Sequence, residues 1–104
     1  MSPPPASGVA LSGVVIHWRD EEHLAELVRA WPRDPRFELV VVDNGSSREL
    51  PALPEGVAGR TIRPGENLGF AGAANRGAAR TRGAVILLLN PDAAPEPGAL
   101  EALL

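Results

Sequence analysis

Three short aliphatic runs constrain this chain more than any other feature: Val14-Val15-Ile16, Leu39-Val40-Val41-Val42 and Val85-Ile86-Leu87-Leu88-Leu89. All are β-branched or Leu, and none alternates apolar with polar residues. A strand with one wet face alternates. A strand buried on both faces does not, and such strands belong to parallel sheets covered by helices. A weaker fourth run spans Gly59 to Arg63. Between the first two runs, Asp20 stands as an N-cap ahead of Glu21 and Glu22, and Leu24, Leu27, Val28 and Trp31 follow at helical spacing before Pro32. A second helix is expected from about Phe70 to Arg82, with Phe70, Ala73, Ala74, Gly77 and Ala78 on one face. So small a face predicts close approach to the sheet. Gly77 costs that helix about 1 kcal/mol relative to Ala, which close packing or a nearby ligand would offset. After Pro95-Glu96-Pro97-Gly98, a third helix is expected over Ala99 to Leu104. This order predicts an α/β fold, a Rossmann-like, mostly parallel sheet of about four strands flanked by helices.

A length of 104 residues suits one domain. Residues 1–11, with Pro3-Pro4-Pro5, are expected to form a flexible Pro-rich tail, and residues 12–104 the α/β domain. The net charge of −3 argues against a general electrostatic grip on nucleic acid. Absence of cysteine excludes disulfides, thiolate metal sites and Cys nucleophiles. Met1 to Ser7 has no basic residue before an apolar run and does not read as a secretory signal. The run Ala84–Leu89 is far shorter than the ~20 residues of a transmembrane span. A cytoplasmic chain with no transmembrane segment is expected.

In open parallel sheets, ligands bind beyond the carboxyl ends of the strands. The residues there are His17, Trp18, Arg19 and Asp20 after the first run, Asp43-Asn44-Gly45-Ser46-Ser47 after the second, and Asn90-Pro91-Asp92 after the last. No Gly-x-Gly-x-x-Gly follows the first strand, which argues against NAD. Asp43 can accept a hydrogen bond from a base N–H or a ribose hydroxyl, or simply open a turn. Trp18 can stack on a base or pack between strand and helix. His17 can meet phosphate or close the strand end. The stretch from Glu66 to Asn75 gathers Gly and small residues at a helix N-terminus, where backbone N–H groups suit a diphosphate or a tight helix entry. Asp92 can bind Mg²⁺ or Mn²⁺ alongside substrate phosphates, or cap the following segment.

Together, Val14–Asp20, Val40–Ser46, Asn67–Gly77 and Leu87–Pro97 resemble the family 2 glycosyltransferases, particularly their rhamnosyltransferase-like branch. Each motif alone is weak, but four in order at successive strand ends are specific, and the similarity covers about residues 13–104. The resemblance implies the nucleotide-binding half of a GT-A fold and transfer of sugar from a UDP- or dTDP-linked donor to a hydroxyl acceptor, with inversion. It places Trp18 against the base and Asp43 on the pyrimidine N–H. His17 and Asn44, beside them, are expected to bind the nucleotide too, and Asn67, Gly69 and Asn75 match the family's Asn-x-Gly-Phe-x-x-x-Asn segment near the nucleotide. Asn90 and Asp92 fall on its metal-binding Asp-x-Asp, with Asn90 in place of the first Asp. His17 and Arg19 also depart from the family, standing where relatives often carry Asn or Thr and Asn.

No catalytic base is identified. After Asp92 the carboxylates are Glu96 and Glu101, in what should be a solvent-facing helix, whereas an inverting enzyme needs one beside the acceptor hydroxyl. The expectation is therefore a truncated donor-binding half. Apolar residues such as Leu100, Leu103 and Leu104 would lie exposed, leading to homo-oligomers. The alternatives are a non-catalytic nucleotide-binding or assembly module and a generic flavodoxin-like domain.

Overall fold

The computed structural model of the chain describes residues 8–45 and 49–104. Its spine is strand β1 (Leu11–His17), bonded on one side to β2 (Phe37–Asp43). Strand β3 (Ala58–Ile62) lies outside β2, and β4 (Val85–Leu89) lies on the other side of β1. Every pairing is parallel, in the order β3-β2-β1-β4. Helix α1 (Glu21–Ala30) follows β1, and α2 (Gly69–Ala78) precedes β4. The expected α/β fold with a four-stranded parallel sheet is what forms.

Every residue of β1 and β2 is buried, as their lack of alternation implies. Leu11, Val15, Phe37, Leu39 and Val41 pack against Leu24, Leu27, Val28 and Trp31 on the α1 side. On the other face, Val14, Ile16, Val40 and Val42 meet Ala73 and Ala74 of α2. Trp31 is wholly buried, and its Nε1 donates to the Phe37 carbonyl at 3.2 Å. Gly77 explains how α2 lies so close. A Cβ there would sit 2.5 Å from Val14 Cγ1 and 2.8 Å from Val42 Cγ2.

Five details differ from the sequence-based expectation. Helix α2 stops at Ala78 rather than near Arg82. Its exit tightens into a 3₁₀-like turn, with Arg80 N–H donating to Gly77 O and Thr81 N–H to Ala78 O. Strand β4 is apolar throughout, yet Val85, Ile86 and Leu88 are exposed, because β4 is an edge strand and α2 does not reach over it. The third helix reduces to a 3₁₀ turn at Glu101–Leu103. Leu100 is buried in the α1-side core rather than exposed, while Leu103 and Leu104 are exposed. At the other end, residues 1–7 of the expected tail lie outside the described residues, but Val9 is buried and β1 already begins at Leu11.

A buried carboxylate ties the amino ends of the strands together. Ser12 Oγ donates to Glu38 Oε1 at 2.7 Å and accepts from Gly83 N–H at 2.8 Å. The Arg82 N–H donates to Glu38 Oε1 at 2.6 Å, and Arg82 Nε to Oε2 at 3.3 Å. Burial pushes the Glu38 pKa up, but Ser12 and the two Arg82 donors outweigh it together and leave the carboxyl below its ordinary value.

Candidate functional site

The carboxyl ends of β1, β2 and β4 lie side by side, so the polar residues that follow them gather on one rim. His17 pairs in register with Asp43 across β1 and β2. The first turn on this rim is strained. Arg19 has φ 53°, in the left-handed region that non-glycine residues rarely occupy, at a cost of roughly 1–2 kcal/mol. Its guanidinium stands 4.8 Å from the Trp18 ring centroid, within cation–π range. Trp18 is 51% exposed, so of the two tryptophans Trp31 fills the strand–helix interface and Trp18 keeps its ring accessible.

His17 is fully buried, and its ring packs beneath the turn that follows β1. Its Nε2 accepts the Asp20 N–H at 2.9 Å, and its carbonyl accepts the Asn44 N–H at 2.8 Å. An accepting Nε2 carries no proton, so the neutral ring is protonated at Nδ1. That Nδ1 lies 3.7 Å from Asp43 Oδ1, just beyond hydrogen-bonding distance. The Asp43 side chain is almost wholly buried, and its Oδ2 meets Arg63 Nε at 3.3 Å. Arg63 is half exposed and, with Glu49, Leu50, Pro51, Ala52 and Thr61, lines a cleft of about 370 Å³.

Asn44 is committed internally as well. Its Oδ1 accepts the Leu68 N–H at 2.7 Å and its Nδ2 donates to the Gly69 carbonyl at 3.4 Å, clamping the end of β2 to the start of α2. Gly45 completes the clamp at φ 99°, and a Cβ there would stand 2.8 Å from the Asn67 backbone nitrogen. Ser46 and Ser47 lie outside the described residues. Asn67 Oδ1 accepts the Gly69 N–H at 2.8 Å and so caps the entry to α2. Asn67, Gly69 and Asn75 are all exposed.

Asn90 and Asp92 are exposed in the turn after β4, where the Ala93 N–H donates to the Asn90 carbonyl at 3.0 Å. The His23 pKa is raised, chiefly by its hydrogen bond with Asp20 at 2.8 Å. Asp20 sits at the N-cap as expected, but its carboxylate serves His23 rather than a backbone amide of α1. Among the described residues, no group of three or more His, Cys, Asp or Glu side chains is placed to hold a metal ion. No helix among them is long and apolar enough to cross a membrane.

The structure thus brings His17 and Asp43 together, adds Arg63 to Asp43, and joins Asn44 to the Asn67–Gly69 entry. Arg63 escapes sequence reasoning because it directly follows the weakest of the four strands and is 20 positions away from Asp43. Its one signal is an arginine at a strand's carboxyl end.

A four-stranded parallel sheet between two helices, with its polar turns gathered at the carboxyl ends, defines a Rossmann-like α/β domain consistent with the amino-terminal half of a GT-A fold. The model of the family "Glycosyl transferase family 2" matches residues 14–104, and the chain belongs to that family. By that membership it is a glycosyltransferase domain. No curated protein matches the chain.

Proposed function

We propose that this rim binds the nucleotide of a UDP- or dTDP-linked sugar, in support of inverting transfer to a hydroxyl acceptor. The observation that carries the reading is the juxtaposition of Trp18 and Asp43. An accessible indole directly follows His17, and His17 stands opposite the buried carboxylate one strand away, about 4.8 Å across the sheet. A pyrimidine stacked on Trp18 can present its N–H to Asp43. Base stacking on an aromatic ring contributes about 1–3 kcal/mol, and a hydrogen bond to a charged acceptor about 1.5–3 kcal/mol.

Other residues have supporting roles in this reading. The first turn of α2, entered through Asn67 and Gly69, faces the diphosphate with its amides, and Asn75 lies one to two turns further along the helix. His17 and Asn44 orient their neighbours from beneath. A divalent cation, Mg²⁺ or Mn²⁺, fits Asp92 and Asn90, because such ions take oxygen ligands and few protein carboxylates when phosphates supply the rest. When bound, it would neutralise charge on the departing nucleoside diphosphate. Asn90 in place of an Asp supports placement in the rhamnosyltransferase-like branch.

Calorimetric titration with UDP and dTDP in the presence of Mn²⁺ tests the reading. Binding of either nucleotide, weakened about tenfold or more by Asp43→Ala, is expected. No heat with either nucleotide, or an Asp43→Ala chain that binds like the wild type, overturns it.

A second reading, a nucleotide-binding or assembly module without turnover, has one observation in its favour. Glu96 and Glu101 line a cleft with Ala30 and Pro32 at the far end of α1, away from the rim. Neither is placed as a base for an acceptor beside Trp18 and Asp43. Donor hydrolysis or transfer that disappears in Asp92→Ala would reject the inert module.

A further inference from the structure

We propose that His17 is a positioning residue that couples the Trp18 turn to Asp43, holding in one fixed relation the two groups that would meet the base. The inference rests on the nucleotide-binding reading of Trp18 and Asp43. Its geometry stands independently of any ligand.

The side chain of His17 closes the turn it begins. Its Nε2 accepts the N–H of Asp20, three residues on, and between them lie Trp18 and the left-handed Arg19. This bond holds Arg19 in a conformation that it would otherwise leave, and with it the direction of Trp18. The same bond decides the other end of the ring. With Nε2 accepting, the proton of the neutral ring is on Nδ1. Nδ1 is buried and has no hydrogen-bond partner among the described residues, although Asp43 Oδ1 is only 3.7 Å away.

A buried N–H donor left so close to a carboxylate favours any small movement that brings them together. The two oxygens of Asp43 then have distinct tasks. Oδ1 faces His17, while Oδ2 faces the half-exposed Arg63. A base N–H arriving at Oδ2 competes with Arg63. The His17 N–H, drawn toward Oδ1, keeps the carboxylate turned so that Oδ2 stays on the side of Arg63 and the cleft that Arg63 lines. One imidazole therefore sets both the stacking ring and the accepting oxygen. An aliphatic residue at position 17 could fill the same volume but supply neither contact.

The test begins with the unliganded wild-type chain. A two-bond proton–nitrogen NMR correlation should find the His17 ring protonated at Nδ1, the Asp20 amide should exchange slowly, and Asp43→Asn should move the Nδ1 resonance. A ring protonated at Nε2, or an Nδ1 resonance indifferent to Asp43→Asn, overturns the coupling even if no His17 variant folds. His17→Gln places an amide oxygen near the Nε2 position, so it should keep Asp20 protected while losing the donor toward Asp43. UDP affinity should then fall about tenfold, as for loss of one hydrogen bond to a charged group. The same change in an Asp43→Ala background should add almost nothing. A His17→Gln chain that binds UDP like the wild type overturns the proposal. If the wild type binds no UDP, the nucleotide reading fails, while the tautomer, the Asp20 exchange and the Asp43→Asn response still decide whether His17 joins the turn to Asp43.

Discussion

Gly13 lies in β1 beneath the indole of Trp31, and a Cβ at that position would collide with the outer edge of the ring. The ring has nowhere to retreat, since Trp31 is fully buried and its Nε1 is held by the Phe37 carbonyl. Overpacking of this kind costs about 1–3 kcal/mol. Gly13→Ala should therefore lower the urea midpoint without changing the slope; an unchanged midpoint would mean that the indole relaxes freely. The two tryptophans also mark how far a sequence can be read at this scale. Trp31 continues the stripe of Leu24, Leu27 and Val28, so its burial is legible. Trp18 follows a strand, a position compatible with burial or exposure, and only the turn closed by His17 decides between them. Asn44 is opaque for a similar reason. Its partners Leu68 and Gly69 are 24 and 25 positions distant, and no local spacing announces which loop lands opposite a given turn.

Elements were more legible than side chains. The runs in β1 and β2 and the stripe of α1 reflect burial that the sheet itself creates, so their patterns carry through to the structure. The run in β4 looks the same but is half exposed, because a sequence does not reveal which strand will stand at an edge. The early end of α2 has a different cause. The Arg82 N–H donates to Glu38 rather than extending the helix, and that acceptor lies 44 positions away. The same contact fastens the segment between α2 and β4 to β1 and β2, which makes Glu38 a test of how the elements are joined. Its carboxyl is held below the usual value, so its contribution to stability is complete above the unfolded value of 4.5 and disappears as pH falls through the lower folded value. Glu38→Gln should cost about 1–3 kcal/mol at neutral pH and flatten the loss of stability below about pH 4.5. Urea unfolding across that range checks both effects. An equally steep acid limb in the variant would assign it to other carboxylates.

At the scale of the molecule, the sheet is covered unevenly. Helix α2 rests on Val14 and Val42, but Leu88, in register with Val14, and Ile86, in register with Ser12, are each 46% exposed. They continue the apolar floor of α2 past the edge of the helix. Among the described residues β4 pairs with β1 alone, so its outer edge adds a row of backbone groups to this strip. Such an edge, apolar and without charge across Val85–Leu89, is a template for pairing with another strand. A second copy can satisfy it by antiparallel pairing of the two β4 edges about a twofold axis, which also brings the two Ile86–Leu88 strips onto one continuous face. Concentration-dependent light scattering should therefore find dimers or larger species. Leu88→Lys should shift the chain toward monomer, because it places a charge on the shared face without touching Trp18, Asp43 or Asp92. A wild-type chain that stays monomeric at high concentration, or a Leu88→Lys chain that associates just as strongly, would remove β4 as the contact.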